Sequence, residues 1–167
     1  MTNDQSEVVA RWGEGVRVGP PLLHALSFQY DGSVGGELPQ PIKVQFEIGV
    51  VRLAELALGV EFTSRVIEIP ELTASATYRV EFVLEPGSPE AEQPERALRL
   101  LACRIAPVTL YPFCREALTS TAQRAGLTRF VTPITNVGAL WEEDEIQIPP
   151  VDDDCEGDPD RLPNELG

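Results

Sequence analysis

Residues 110–126, LYPFCREALTSTAQRAG, hold the longest helical pattern in the chain. Leu110, Phe113, Cys114, Ala117, Leu118, Thr121, Ala122 and Ala125 fall on one stripe of a 3.6-residue period. Arg115, Glu116, Thr119, Ser120, Gln123 and Arg124 fall on the other. Gly126 stands where a helix ends, because glycine takes up left-handed backbone without a Cβ clash. The stretch carries no metal-ligand spacing, no phosphate-binding loop and no nucleophile–base pair. Its purpose must be read from what surrounds it.

Upstream the period is two. LLHALSFQY at 22–30 reads as a first strand, with Leu22, His24, Leu26, Phe28 and Tyr30 on one face and Leu23, Ala25, Ser27 and Gln29 on the other. IKVQFEIGVV at 42–51 alternates Ile42, Val44, Phe46, Ile48 and Val50 against Lys43, Gln45 and Glu47. A polar break at 52–55 leads to a third strand over 56–67, and SATYRVEFVLE at 75–85 is the fourth. The loops at 31–41 and 86–95 are rich in glycine, proline and acidic residues. ERALRLLACRI at 95–105 predicts a short helix that Pro107 interrupts, and Asn136 is placed to cap a short last helix over 137–143. Strands first and helices after is the α+β pattern. The expected architecture is a four-stranded antiparallel sheet with one long and two short helices packed on one face.

Charge divides the chain. The net charge is −14, and eleven acidic residues between Glu142 and Gly167 against the single Arg161 account for most of it. Residues 1–21 predict a flexible lead-in, 22–141 a domain, and 142–167 an acidic disordered tail. Such a balance argues against nucleic acid, which needs clustered Lys and Arg, and against an anionic membrane surface. No apolar run in the sequence reaches the roughly 18 residues of a membrane span. The N-terminus has no basic and apolar leader pattern, and Cys103, Cys114 and Cys155 are odd in number and widely spaced. Both features predict a reducing cytoplasm.

The groups able to do chemistry are few. His24 could pair with Cys103 or Cys114 as in a thiol protease, but no orienting Asn or Asp stands out, so a structural histidine is expected. Glu142–Glu145 and Asp152–Asp154 lack the spacing of a calcium loop and read as solvated charge. Cys155 sits among acids that raise a thiol pKa. No enzyme and no cofactor is expected.

Residues 110–141, LYPFCREALTSTAQRAGLTRFVTPITNVGALW, carry a resemblance. Tyr111-Pro112-Phe113-Cys114-Arg115-Glu116 opens the helix as an aromatic, Pro, an aromatic, a small residue and Arg-Glu. A glycine break, a proline-bearing extended stretch, and then Asn136, Ala139, Leu140 and Trp141 follow. In these features, and in LSFQY at 26–30, the chain resembles the SecB family of bacterial protein-export chaperones over about 22–141. It departs at Val137 and Gly138, where the family has an aromatic residue and Asp, and at Leu127-Thr128-Arg129, where it has an aromatic residue and two prolines.

The resemblance implies a homo-oligomer, a tetramer built as a dimer of dimers, with the long helix as scaffold and groove wall and the face bearing Thr119 and Ser120 against another protomer. It implies an ATP-independent holdase that keeps unfolded preproteins in apolar grooves and hands them to the translocation motor SecA. Carried over position by position, the client groove is Ile42, Val44, Phe46, Phe113, Thr119, Leu127 and Trp141. The acidic face for the motor is Glu47, Glu61 and Glu81, while Ala25 and Gln29 stand where the family has first-strand acids. The alternatives are a SecB-like chaperone dedicated to a toxin–antitoxin pair, with an antitoxin as partner, and a non-chaperone adaptor binding one folded partner.

Overall fold

The computed structural model describes residues 15–32, 38 and 41–151. Five strands form one antiparallel sheet: β1 (Val16–Val18), β2 (Leu22–Tyr30), β3 (Lys43–Ala54), β4 (Ala57–Ile67) and β5 (Leu72–Leu84). β3 pairs with β4 and β4 with β5. β1 and β2 share the far side of β5, β1 opposite Phe82–Leu84 and β2 opposite Leu72–Arg79. The pair is therefore one edge strand broken at Gly19-Pro20-Pro21, where two prolines remove ladder donors. The sheet is four strands wide, as the alternation predicts. β1 itself falls within 1–21, which the sequence reads as a flexible lead-in; residues 1–14 lie outside the described residues.

The helix side of the sheet carries Leu58, Val60, Phe62, Ser64 and Val66 from β4 and Leu72, Ala74, Ala76, Val80, Phe82 and Leu84 from β5, all buried. The two central strands are covered and the two edges are not. β3 stays half-buried at Val44, Phe46, Ile48 and Val50, and β2 is mostly exposed.

Helix α1 (Pro94–Leu100) runs through a wide π turn (Leu101–Ile105) into α2 (Ala106–Arg124). Pro107 does not interrupt it. In the π turn the amide of Ala106 donates to the carbonyl of Leu101, five residues back. The wider turn accommodates the proline's missing donor and its ring at the start of α2. The continuous helix, 31 residues long, meets the length and composition of a membrane span, and its apolar stripe is accounted for by the sheet beneath it. Gly126, at φ 92°, ends it, and the Leu127 amide donates back to Ala122.

Two further expectations change. Tyr111, on the other side of the predicted stripe from Phe113, faces the core, where its ring meets Phe46 and Phe62: Tyr111 is buried and Phe113 is 41 % exposed. The short helix over 137–143 is two 3₁₀ turns, Val137–Ala139 and Glu143–Glu145. The Asn136 side chain does not cap the first. Glu142 and Glu145 cap the second reciprocally. Packing runs past Trp141, since Ile146 is buried and Ile148 is half-buried. The acidic stretch 152–167 lies outside the described residues.

Candidate client-binding surfaces

Helix α2 divides the helix side of the sheet into two flanks. On the β3 flank four aromatic rings meet. Phe46 stacks on Phe62 at 5.7 Å and meets Tyr111 edge-on at 5.2 Å, and Trp141 stands edge-on to Phe62 at 6.1 Å. Offset and edge-to-face contacts of this kind add to plain area burial. The hydroxyl of Tyr111 donates to the Pro133 carbonyl, and the Arg115 Nε donates to the Thr132 carbonyl at 3.1 Å. These bonds fix the returning segment 127–135 against the helix. Burial raises the Tyr111 pKa.

On the β2 flank the apolar surface is open. Phe113 leans on Tyr78 at 5.7 Å, and Tyr78 pairs with Leu23 across the ladder. Val18 is 52 % exposed, Leu23 51 % and Leu26 42 %. A β-bulge between Leu23 and Ala25 shifts the register. Leu23 consequently joins Leu26 and Phe28 on the helix side, and Leu22 turns to the open side opposite Arg79. This corrects the simple alternation, which places Leu22 and His24 with Leu26.

The expected groove residues thus separate into four groups. Val44, Phe46 and Trp141 gather on the β3 flank and Phe113 on the β2 flank. Thr119 lies on the outer face of α2, in a shallow concavity of about 460 Å³ with Pro112, Arg115, Glu116, Ser120 and Gln123. Ile42 and Leu127 are core residues, 2 % and 8 % exposed, so they support the β3 flank from beneath rather than line it. The sequence reading missed Tyr111, Leu23 and Val18. Tyr111 stood in the quoted motif, but a helical wheel does not fix which way the wheel is turned on the sheet.

No protein-family model and no functionally characterised protein sequence matches the chain. Among solved structures, it is similar to the SecB-like chaperone Rv1957 of Mycobacterium tuberculosis, solved with a ChAD peptide from the HigA1 antitoxin. The identity is 20 %, covering 79 % of this chain and 99 % of that one, at a TM-score of 0.55. It also aligns with a Streptococcus agalactiae protein of unknown function at 11 % identity and a TM-score of 0.38, over 72 % of this chain and 97 % of that one. The fold is SecB-like.

On the open face of this SecB-like sheet, each expected motor-docking acid already has a basic partner. Glu47 lies 3.8 Å from Arg65, Glu61 3.5 Å from His24 Nε2, and Glu81 3.2 Å from Arg79. The Arg79 guanidinium lies across Gly59, where a Cβ would sit 2.9 Å from its Nη2. The face is a patchwork of both signs rather than an acidic patch. His24 stands on this face, whereas Cys114 lies beneath α2 on the other, within reach of the Phe62 and Ala76 carbonyls at 3.6 and 3.5 Å. Burial pushes the Cys114 thiol up to about 12 and raises Cys103 as well. A His24–Cys114 thiolate pair is excluded by the sheet between them. Among the described residues, no three His, Cys, Asp or Glu side chains converge as a metal site.

Proposed function

We propose that the chain is an ATP-independent holdase chaperone that binds extended apolar segments of unfolded proteins. The observation that carries this reading is the uncovered apolar surface along both flanks of α2 in a fold whose interior is otherwise closed. Apolar burial is non-directional and worth about 25 cal/mol per Å², so such surface accepts many sequences. Clients take the β3 flank, lined by Val44, Phe46 and Trp141. The β2 flank, with its free strand edge, and the outer face of α2 around Thr119 and Ser120 take further copies of the chain, giving a dimer and then a tetramer.

The client is an antitoxin-like segment or an unfolded preprotein. The likeness to a chaperone that holds an antitoxin peptide supports the first. The guanidiniums beside two of the expected docking acids weigh in the same direction: a basic surface on SecA would meet Arg65 next to Glu47 and Arg79 next to Glu81. Delivery to the export machinery remains the second reading, supported by the acidic balance of the chain as a whole. The holdase works in the cytoplasm, without a cofactor.

Light-scattering mass of the purified protein, alone and with reduced, alkylated α-lactalbumin, tests the proposal. A particle near four times 18.3 kDa that keeps the client soluble without nucleotide is the expected result. A monomer that leaves the client to precipitate overturns it. Protection of several unrelated clients favours export, and protection of a single antitoxin favours the dedicated form.

A further inference from the structure

Trp141, edge-on to Phe62, lies between two groups that one guanidinium holds. Arg104 lies in the π turn between α1 and α2. Its Nη1 donates to the Gly138 carbonyl at 3.0 Å, and its Nη2 donates to the Glu142 carboxylate at 3.2 Å. Those two acceptors bracket Trp141, three residues before and one after. The turn fits tightly at this point, since a Cβ on Gly138 would lie 2.8 Å from Val108 Cγ2 and 3.6 Å from the Arg104 carbonyl. The strap is anchored further out by Val137 and Ile146, both in the core. Between those anchors, Arg104 bonds the strap on both sides of the tryptophan. The second ion pair of the strap, Arg96 with Glu143 at 3.8 Å, touches one side alone.

We propose that Arg104 is the positioning residue of the β3-flank groove, holding Trp141 as an aromatic wall beside Phe46. The fork of the guanidinium is what the geometry requires, because two acceptors of different chemistry are met at fixed angles by one planar group. Arg104 and Val108, four residues apart on the helix, share the face beneath Gly138. Without the bridge, Val137 and Ile146 still anchor the strap, but the indole ring is free to turn away from Phe62. The effect on clients rests on the chaperone reading above, whereas the effect on the ring does not.

The test uses full-length protein carrying Trp12→Phe, so that Trp141 is the sole tryptophan. Arg104→Met, which keeps the aliphatic stem, is expected to shift Trp141 emission to the red and lower its anisotropy. The same change should weaken binding of reduced, alkylated α-lactalbumin about tenfold, the scale of one lost charge-assisted hydrogen bond. Arg104→Lys keeps the charge but not the fork, and should recover less than half of either effect. An Arg104→Met protein with native circular dichroism and unchanged emission overturns the proposal. So does changed emission with unchanged client affinity. If Arg104→Met fails to fold, Glu142→Gln, which alters an exposed carboxylate, decides: a smaller red shift supports the bridge, and none overturns it. If the parent protein binds no α-lactalbumin, the chaperone reading falls and the emission arm alone decides the role of Arg104.

Discussion

At the scale of single residues, the aromatic cluster separates groove from core. Phe62 is fully buried, whereas Phe46, stacked on it, is half-buried on the edge strand. Phe62→Ala should therefore cost about 3–5 kcal/mol, the range for a buried phenylalanine, and Phe46→Ala about half that. Urea unfolding gives both values. The same Phe46→Ala protein should hold α-lactalbumin less tightly; unchanged affinity would remove Phe46 from the groove. Cys114 yields a pH dependence. Its folded pKa, about 12, exceeds its ordinary value of 9.0. The folded state thus keeps a proton that the unfolded state releases, so stability is full below pH 9 and falls as pH rises toward 12. The slope approaches about 1.4 kcal/mol per pH unit from this group alone, and Cys103, Tyr78 and Tyr111, also raised, act in the same direction. Cys114→Ala should flatten the alkaline limb of a stability curve. An unaltered limb would mean the thiol is not buried as described.

Elements are held by a few polar anchors where apolar packing runs out. The β3–β4 hairpin is closed by Arg52, whose side chain is 5 % exposed. It donates to the Ala54 carbonyl at 2.7 Å, to the Glu55 carbonyl at 2.5 Å and to Glu95 at 2.6 Å. One side chain thereby ties the hairpin to the start of α1. Arg52→Met should lower stability by about 2–4 kcal/mol, because it leaves two carbonyls and a carboxylate without their donor. Arg52→Lys should recover little of this, since an ammonium lacks the fork. A thermal midpoint within a degree of the parent's in Arg52→Met would show that water replaces the guanidinium at no cost. The long helix and the strands β2 to β5 were legible as elements because each holds its period over most of its length, whereas β1 is too short to show one. The π turn that carries the helix past Pro107 leaves no mark in the hydrophobic pattern, so the helix reads there as broken.

For the whole molecule, the question is what covers the β2 flank. Leu26 lies there, 42 % exposed. On the proposed assembly, Leu26→Asp should reduce the light-scattering mass, because the charge would be buried without a partner at the β2 flank. A variant that keeps the parent mass would place the interface elsewhere. The fold was legible in outline from strands followed by a long helix. The candidate site was legible only in part: Val44, Phe46 and Trp141 lie on the β3 flank, whereas Phe113 and Thr119 fall on other faces of α2, and Ile42 and Leu127 are interior.

The sequence by itself determined the period of the long strands and the long helix, the end of that helix at Gly126 and the apolar side of β3, β4 and β5. These follow from local sterics and from the spacing of side chains along one segment. Tertiary structure alone decided how far α2 is rotated on the sheet, so that Tyr111 is buried and Phe113 is not. It alone decided that a bulge sends Leu23 to the helix side, that Glu47, Glu61 and Glu81 each lie beside a basic side chain, and that Arg104 reaches both sides of Trp141. Each of these depends on contacts between residues far apart in the chain, and a single segment's pattern carries no information about the partner it will meet.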